Sequence, residues 1–164
     1  MQRLDEYEKC VDWFEPLHDI AREATGLEDF GDTHYHKGLQ VLLEQFDQGC
    51  DLSPVGKIAT RFKLIHVLTW RLKTEQAFKE DPSIFENPIE KPLVITGLIR
   101  TGSTALHYLL ASDPNRQALP YWLSEHPQPR PPEAEWEAHP DFQKSKGSIE
   151  MMWKLDPSLK SIHF

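Results

Sequence analysis

KPLVITGLIRTGSTALHYLLA, from Lys91 to Ala111, carries three residue patterns in succession. Leu93-Val94-Ile95 is apolar, rich in β-branched residues and too short for a helix, as a buried parallel strand would be. Gly97 and Gly102 bracket a turn, Ser103 and Thr104 follow it, and Ala105 to Leu110 reads as an amphipathic helix. A strand, a glycine-hinged turn and a helix in that order aim the first-turn N–H groups at whatever lies above the strand end. Those donors suit an anion such as phosphate or sulfate.

Upstream the periodicity is helical. Tyr7, Val11, Phe14, Leu17, Ile20, Ala21 and Ala24 recur at helical spacing, with a break expected at Pro16 and the better helix starting near Glu15. Thr25-Gly26 closes it. Gly31-Asp32-Thr33 opens the next helix, whose stripe is Tyr35, Leu39, Leu42, Leu43 and Phe46 and whose end is Gly49. Ser53 caps a third helix with Pro54 in its first turn. It is expected to turn Val55, Ile58, Ala59, Phe62, Ile65, Leu68 and Leu72 inward and to run to Phe78. Asp81-Pro82 and Asn87-Pro88 mark a link. The expected organisation is a helical N-terminal extension over residues 1–88 and an α/β domain over residues 89–164.

Downstream, Ser112-Asp113-Pro114-Asn115 ends the helix after the turn, and Ala118-Leu119 is a candidate second strand. His126 to Pro132, HPQPRPP, is a proline-dense surface loop. A last helix is expected from Pro140 through Trp153, stopped by Asp156-Pro157. The fold class that follows is α/β, a P-loop-like parallel sheet with flanking helices. One convincing strand leaves that sheet incomplete within the chain, with an unpaired edge open to self-association.

The bulk properties narrow the setting. A length of 164 residues suits one domain or a piece of a larger one, and 39% apolar residues are enough for a core. A net charge of −8 argues against a nucleic-acid or anionic-membrane surface. Cys10 and Cys50 form no CxxC pair or disulfide framework. No apolar run reaches membrane-span length, and MQRLDEYEKC lacks the apolar stretch of a signal peptide. The expected location is the cytoplasm.

Gly97-x4-Gly102 followed by two hydroxyl residues has Walker-type spacing, a coincidence expected about once in a few hundred such chains. Ser103 stands where a nucleotide-hydrolysing loop has its lysine. The basic residue, Arg100, lies earlier in the loop, and no downstream strand ends in an aspartate for Mg²⁺. Such a loop fits ATP hydrolysis poorly and a less charged transferred group better. A P-loop kinase relative remains the alternative enzyme, distinguished by dependence on ATP and Mg²⁺.

GLIRTGST after PLVIT resembles the 5′-phosphosulfate loop of sulfotransferases that use 3′-phosphoadenosine 5′-phosphosulfate (PAPS). It is most similar to their bacterial branch with a helical N-terminal extension. ATGLEDFGD, LLASDPNRQALPYW and PQPRPP extend the resemblance from about Ala24 to Phe164. It implies that N–H groups of Thr101, Gly102, Ser103 and Thr104 bind the phosphosulfate, with the Ser103 and Thr104 hydroxyls as further donors. Arg100 stands where cytosolic sulfotransferases have a lysine, and by resemblance it steadies charge growing on the leaving phosphate. The implied reaction is metal-free sulfuryl transfer from PAPS to a hydroxyl or amine of a small-molecule acceptor. The family binds the 3′-phosphate through later elements, so the chain is expected to be the N-terminal part only. A non-catalytic remnant or binding module is the alternative from another class.

The acceptor's general base has three candidates, Glu125, His126 and His107. His126 reads as a solvent-exposed loop residue that could line a substrate mouth, His107 as packing on a helix flank, Glu125 as solvated. His34-Tyr-His36 is a polar cap rather than a metal pair, because i and i+2 on a helix do not face each other. Glu133, Glu135 and Glu137 read as a solvated acidic face, and Met151-Met152-Trp153 as helix core or a bare interface.

Overall fold

The structure, a computed structural model, describes residues 8–98 and 101–161. Two compact units divide the chain, Met1–Pro88 and Ile89–Phe164. In the first, a 3₁₀ turn, Cys10–Trp13, runs straight into α1, Phe14–Thr25. Pro16 sits in the first turn of α1, where its missing N–H has no ladder partner to lose, so the helix continues through it. Helices α2, His34–Gln48, and α3, Pro54–Glu80, follow. Ser53 caps α3 as its sequence predicts, its Oγ accepting from Gly56 N–H at 3.1 Å.

Cys10, Trp13, Leu17 and Ala21 meet Phe30, Leu43, Leu68 and Leu72 in one buried cluster. Helix α1 lies along α3, and the 3₁₀ turn packs on α2. The inward face of α3 differs from the expected stripe. Val55, Ile58 and Phe62 are exposed, whereas Arg61 is buried with its guanidinium 4.4 Å from the centre of the Trp13 ring. A cation over an indole face, its stem along the apolar core, fills a place that periodicity assigns to an aliphatic side chain.

The loop between α1 and α2 is fastened to α3 by side chains spaced one turn apart. Arg71 donates from Nε to Phe30 O at 2.6 Å and from Nη2 to Asp32 O at 2.7 Å. One turn on, the Glu75 carboxyl covers Gly31, and a further turn on Lys79 pairs with Asp29 at 2.5 Å. Gly31 has φ 69, in the left-handed region, and a Cβ there would overlap the Glu75 carboxyl.

The second unit holds α4, Ser103–Ala111, α5, Tyr121–Glu125, and α6, Pro140–Leu155, with 3₁₀ turns at Glu133–Ala138 and Pro157–Ser161. Helix α5 packs on α6. Trp122, Leu123, His126 and Ser145 are buried in this unit. The Trp122 ring has Trp136, His139 and Phe142 around it at 5.6, 5.1 and 5.9 Å between centres. Short helical segments thus interrupt the stretch from Pro120 to Pro140, and they carry this unit's core.

Among the described residues there is no β-strand, which overturns the expected parallel sheet at residues 93–95 and 118–119. Residues 92–98 join no ladder among the described residues, with Leu93 57%, Val94 74% and Leu98 83% exposed. A strand exists only as one side of a hydrogen-bonded ladder. After α4 the chain passes through coil at 116–120 into α5 instead of returning beside residues 92–98. The sheet edge offered for self-association falls with the sheet. No helix among the described residues is long and apolar enough to cross a membrane.

Candidate functional site

The turn keeps the geometry needed at a helix start even without the sheet. Gly102 is the N-cap of α4 with φ 87 and ψ 15, a left-handed conformation that a side chain with Cβ disfavours. No side chain caps α4, and its first ladder bond runs from Leu106 N–H to Gly102 O at 3.0 Å. The N–H groups of Ser103, Thr104 and Ala105 therefore lie ahead of the ladder, beside the exposed Ser103 and Thr104 side chains. Just before them, Thr101 Oγ1 donates to Leu98 O at 2.7 Å. Gly102, Ser103 and Thr104 thus gather at one helix end, with Thr101 next to them and its hydroxyl turned back. Arg100 lies outside the described residues.

The base candidates sit elsewhere in the second unit. His107 is half-buried on α4, its ring 6.1 Å from that of Tyr108. Glu125 is half-buried rather than solvated and accepts from Ser145 Oγ at 3.2 Å. Burial, reinforced by the neighbouring Glu125 carboxylate, pushes the Tyr121 phenol up to about 12. His126 is buried, not the exposed loop residue expected, with Nδ1 3.9 Å from Asp141 Oδ1. The Lys144 ammonium, with help from Gln128, holds the Asp141 carboxyl below the usual range although burial opposes it. A sequence signal for this packing exists: Trp122, Leu123 and His126 share one side of a helical turn.

Other candidates settle into structural roles. His34 pairs with Asp32 at 2.8 Å, and the His36 ring lies 4.5 Å from the centre of the Tyr35 ring. Among the described residues no group of three or more metal-ligating side chains gathers. Glu133 and Glu135 are exposed, and Glu137 pairs with Lys146 at 3.1 Å. Met151 and Met152 are 56% and 42% exposed, a bare face rather than helix core.

Comparison with known proteins supplies the context for the turn. The comparison with curated proteins returned no match. The crystal structure of the sulfotransferase STF1 from Mycobacterium tuberculosis matches with a TM-score of 0.76 and 38% sequence identity. The match covers 87% of this chain, which spans 40% of that one. The sulfotransferase family itself matches residues 92–162, a span that begins just before the turn and includes α4, α5 and α6. Over those residues, the chain belongs to the sulfotransferase family.

Proposed function

We propose that this chain carries the phosphosulfate-holding part of a cytoplasmic, PAPS-dependent sulfotransferase acting on a hydroxyl or amine of a small-molecule acceptor. One observation carries the reading. The family match includes a turn in which an αL glycine delivers an uncapped helix start and two exposed hydroxyl residues to one place. Such a helix end has donors in excess and the positive pole of the helix dipole, which suits the oxygens of a phosphosulfate. The absence of a Cβ at Gly102 lets those oxygens approach the backbone.

PAPS, when bound, supplies a sulfuryl group attached to a phosphate leaving group. The acceptor oxygen or nitrogen bonds to sulfur as the S–O bond to phosphate breaks, leaving the sulfated acceptor, 3′-phosphoadenosine 5′-phosphate (PAP) and a proton. In this reading the N–H groups of Thr101, Gly102, Ser103 and Thr104 hold phosphosulfate oxygens, with the Ser103 and Thr104 hydroxyls beside them. Arg100 meets the charge that grows on the leaving phosphate. A guanidinium does this electrostatically and gives up no proton near neutral pH.

Calorimetric titration of the chain with PAP should show saturable binding. Gly102→Val should abolish it, because a β-branched residue cannot hold φ near 87 without strain and would swing the helix start away. Unchanged affinity in that variant would sink the loop assignment.

A further inference from the structure

Gly97 and Thr101 come together in the turn before α4. Thr101 Oγ1 donates to Leu98 O at 2.7 Å, and a Cβ placed on Gly97 would stand 3.1 Å from that hydroxyl oxygen. We propose that the Thr101 hydroxyl is a positioning group that holds the turn ready for an anion, and that residue 97 is glycine to leave it room. The identity of the anion rests on the phosphosulfate reading; the strut rests on the turn itself.

Room, rather than backbone conformation, is what Gly97 supplies. The described glycines with positive φ are Gly26, Gly31 and Gly102, so the backbone at residue 97 does not itself demand a missing side chain. What a Cβ there would crowd is Thr101 Oγ1, and 3.1 Å is closer than a relaxed contact. The hydroxyl would have to turn away, and its bond to Leu98 O would lengthen or break with it.

The same bond gives the Thr101 hydroxyl a different part from the one proposed for Ser103 and Thr104. A hydroxyl carries one proton, and here that proton is committed to a carbonyl. Toward phosphosulfate oxygens, which only accept, it has no donor left. Its contribution lies in the residues it fixes. Thr101 immediately precedes Gly102, the left-handed N-cap of α4. Tying the Thr101 side chain to Leu98 O restrains the N–H groups of Thr101 and Gly102 before a ligand arrives, so less freedom is lost on binding. Thr101 is exposed and outside the unit's buried residues, so the bond contributes little to global stability.

The test compares, in the full chain, Thr101→Val, which keeps the shape and removes the hydroxyl, with Thr101→Ser, which keeps the hydroxyl. Calorimetric titration with PAP should show Thr101→Val weakened about fivefold, the effect of losing one net hydrogen bond, and Thr101→Ser recovering most of that loss. Urea midpoints should stay level across parent and variants. Gly97→Ala should weaken PAP binding in the parent and add no loss in a Thr101→Ala background, where the hydroxyl it crowds is gone. NMR order parameters of the Thr101 and Gly102 amides in the free chain should fall in Thr101→Val and recover in Thr101→Ser. Order parameters unchanged by Thr101→Val, a midpoint that falls in step with affinity, or an equal Gly97→Ala loss in both backgrounds would each overturn the proposal. The two readings separate cleanly. Order parameters that fall as expected in a chain that binds no PAP keep the strut and remove the phosphosulfate reading, whereas PAP binding indifferent to Thr101→Val removes the strut alone.

Discussion

His18 shows how one buried side chain ties two helices together. Its Nδ1 donates to Phe14 O at 2.6 Å, which leaves Nε2 to accept from the Tyr35 hydroxyl at 2.8 Å. Burial lowers its pKa below the ordinary 6.5, and the Phe14 carbonyl only partly offsets this. The unfolded chain therefore takes up a proton first as pH falls. The stability linked to neutral His18 is fully present above pH 6.5 and is lost as pH drops towards the folded value. Urea midpoints measured from pH 7.5 to pH 5 should fall in the parent and flatten in His18→Phe. Gly31→Ala should cost at least about 1 kcal/mol, from the left-handed backbone and the Glu75 carboxyl that would have to move, read as a lower urea midpoint. At Arg100, transfer assays on an intact enzyme that contains this segment, set beside PAPS titrations, should show Arg100→Ala losing roughly 3–4 kcal/mol of transition-state stabilisation and much less binding. Equal losses would make Arg100 a binding residue only.

Among the elements, several helix ends were readable, whereas the break expected at Pro16 is a helical first turn and the buried face of α3 departs from its apolar stripe. Ser53 with Pro54, Gly26 after Thr25 and Gly49 after Gln48 end or start helices where local chemistry demands it. The α3 stripe failed because periodicity counts apolar residues and Arg61 entered the core by its stem and guanidinium face. The proline-rich stretch hid the second unit's core for another reason. Trp136, His139 and Phe142 are close in sequence, but Trp122 lies on a separate short helix before the proline-rich stretch, so periodicity does not join it to them. Trp122→Ala should cost about 3–5 kcal/mol and erase near-UV dichroism from this cluster. Asp47, whose carboxylate takes Cys10 N–H at 2.8 Å and Val11 N–H at 2.9 Å, caps the 3₁₀ turn from the far end of α2. Asp47→Ala should cost about 1 kcal/mol in the same unfolding assay.

For the whole molecule, the distribution of apolar surface is the main physical fact. The first unit has its own buried cluster, whereas residues 92–98 and most of α4 present apolar side chains to solvent. Leu98 is 83% exposed, Leu109 70% and Tyr108 61%. Exposed apolar side chains, where they form a patch, drive association. Sedimentation should show concentration-dependent self-association that the double variant Val94→Lys with Leu98→Lys reduces. A monomer at all concentrations would count against it. A glutamate-specific protease should leave a resistant N-terminal fragment ending at Glu86 or Glu90, both exposed in the link between the units.

By itself the sequence determined the long helices, the Ser53 cap and the glycine at the start of α4, because these depend on residues within a few positions of one another. It also carried the family, through the GLIRTGST stretch, in which Gly102 holds a left-handed conformation. Only the tertiary structure decided that Leu93-Val94-Ile95 pairs with no described strand and that His126 is buried. Each of those depends on a partner distant in sequence or on packing between separate segments. Strand composition states a preference, and a strand forms only where another backbone completes its ladder.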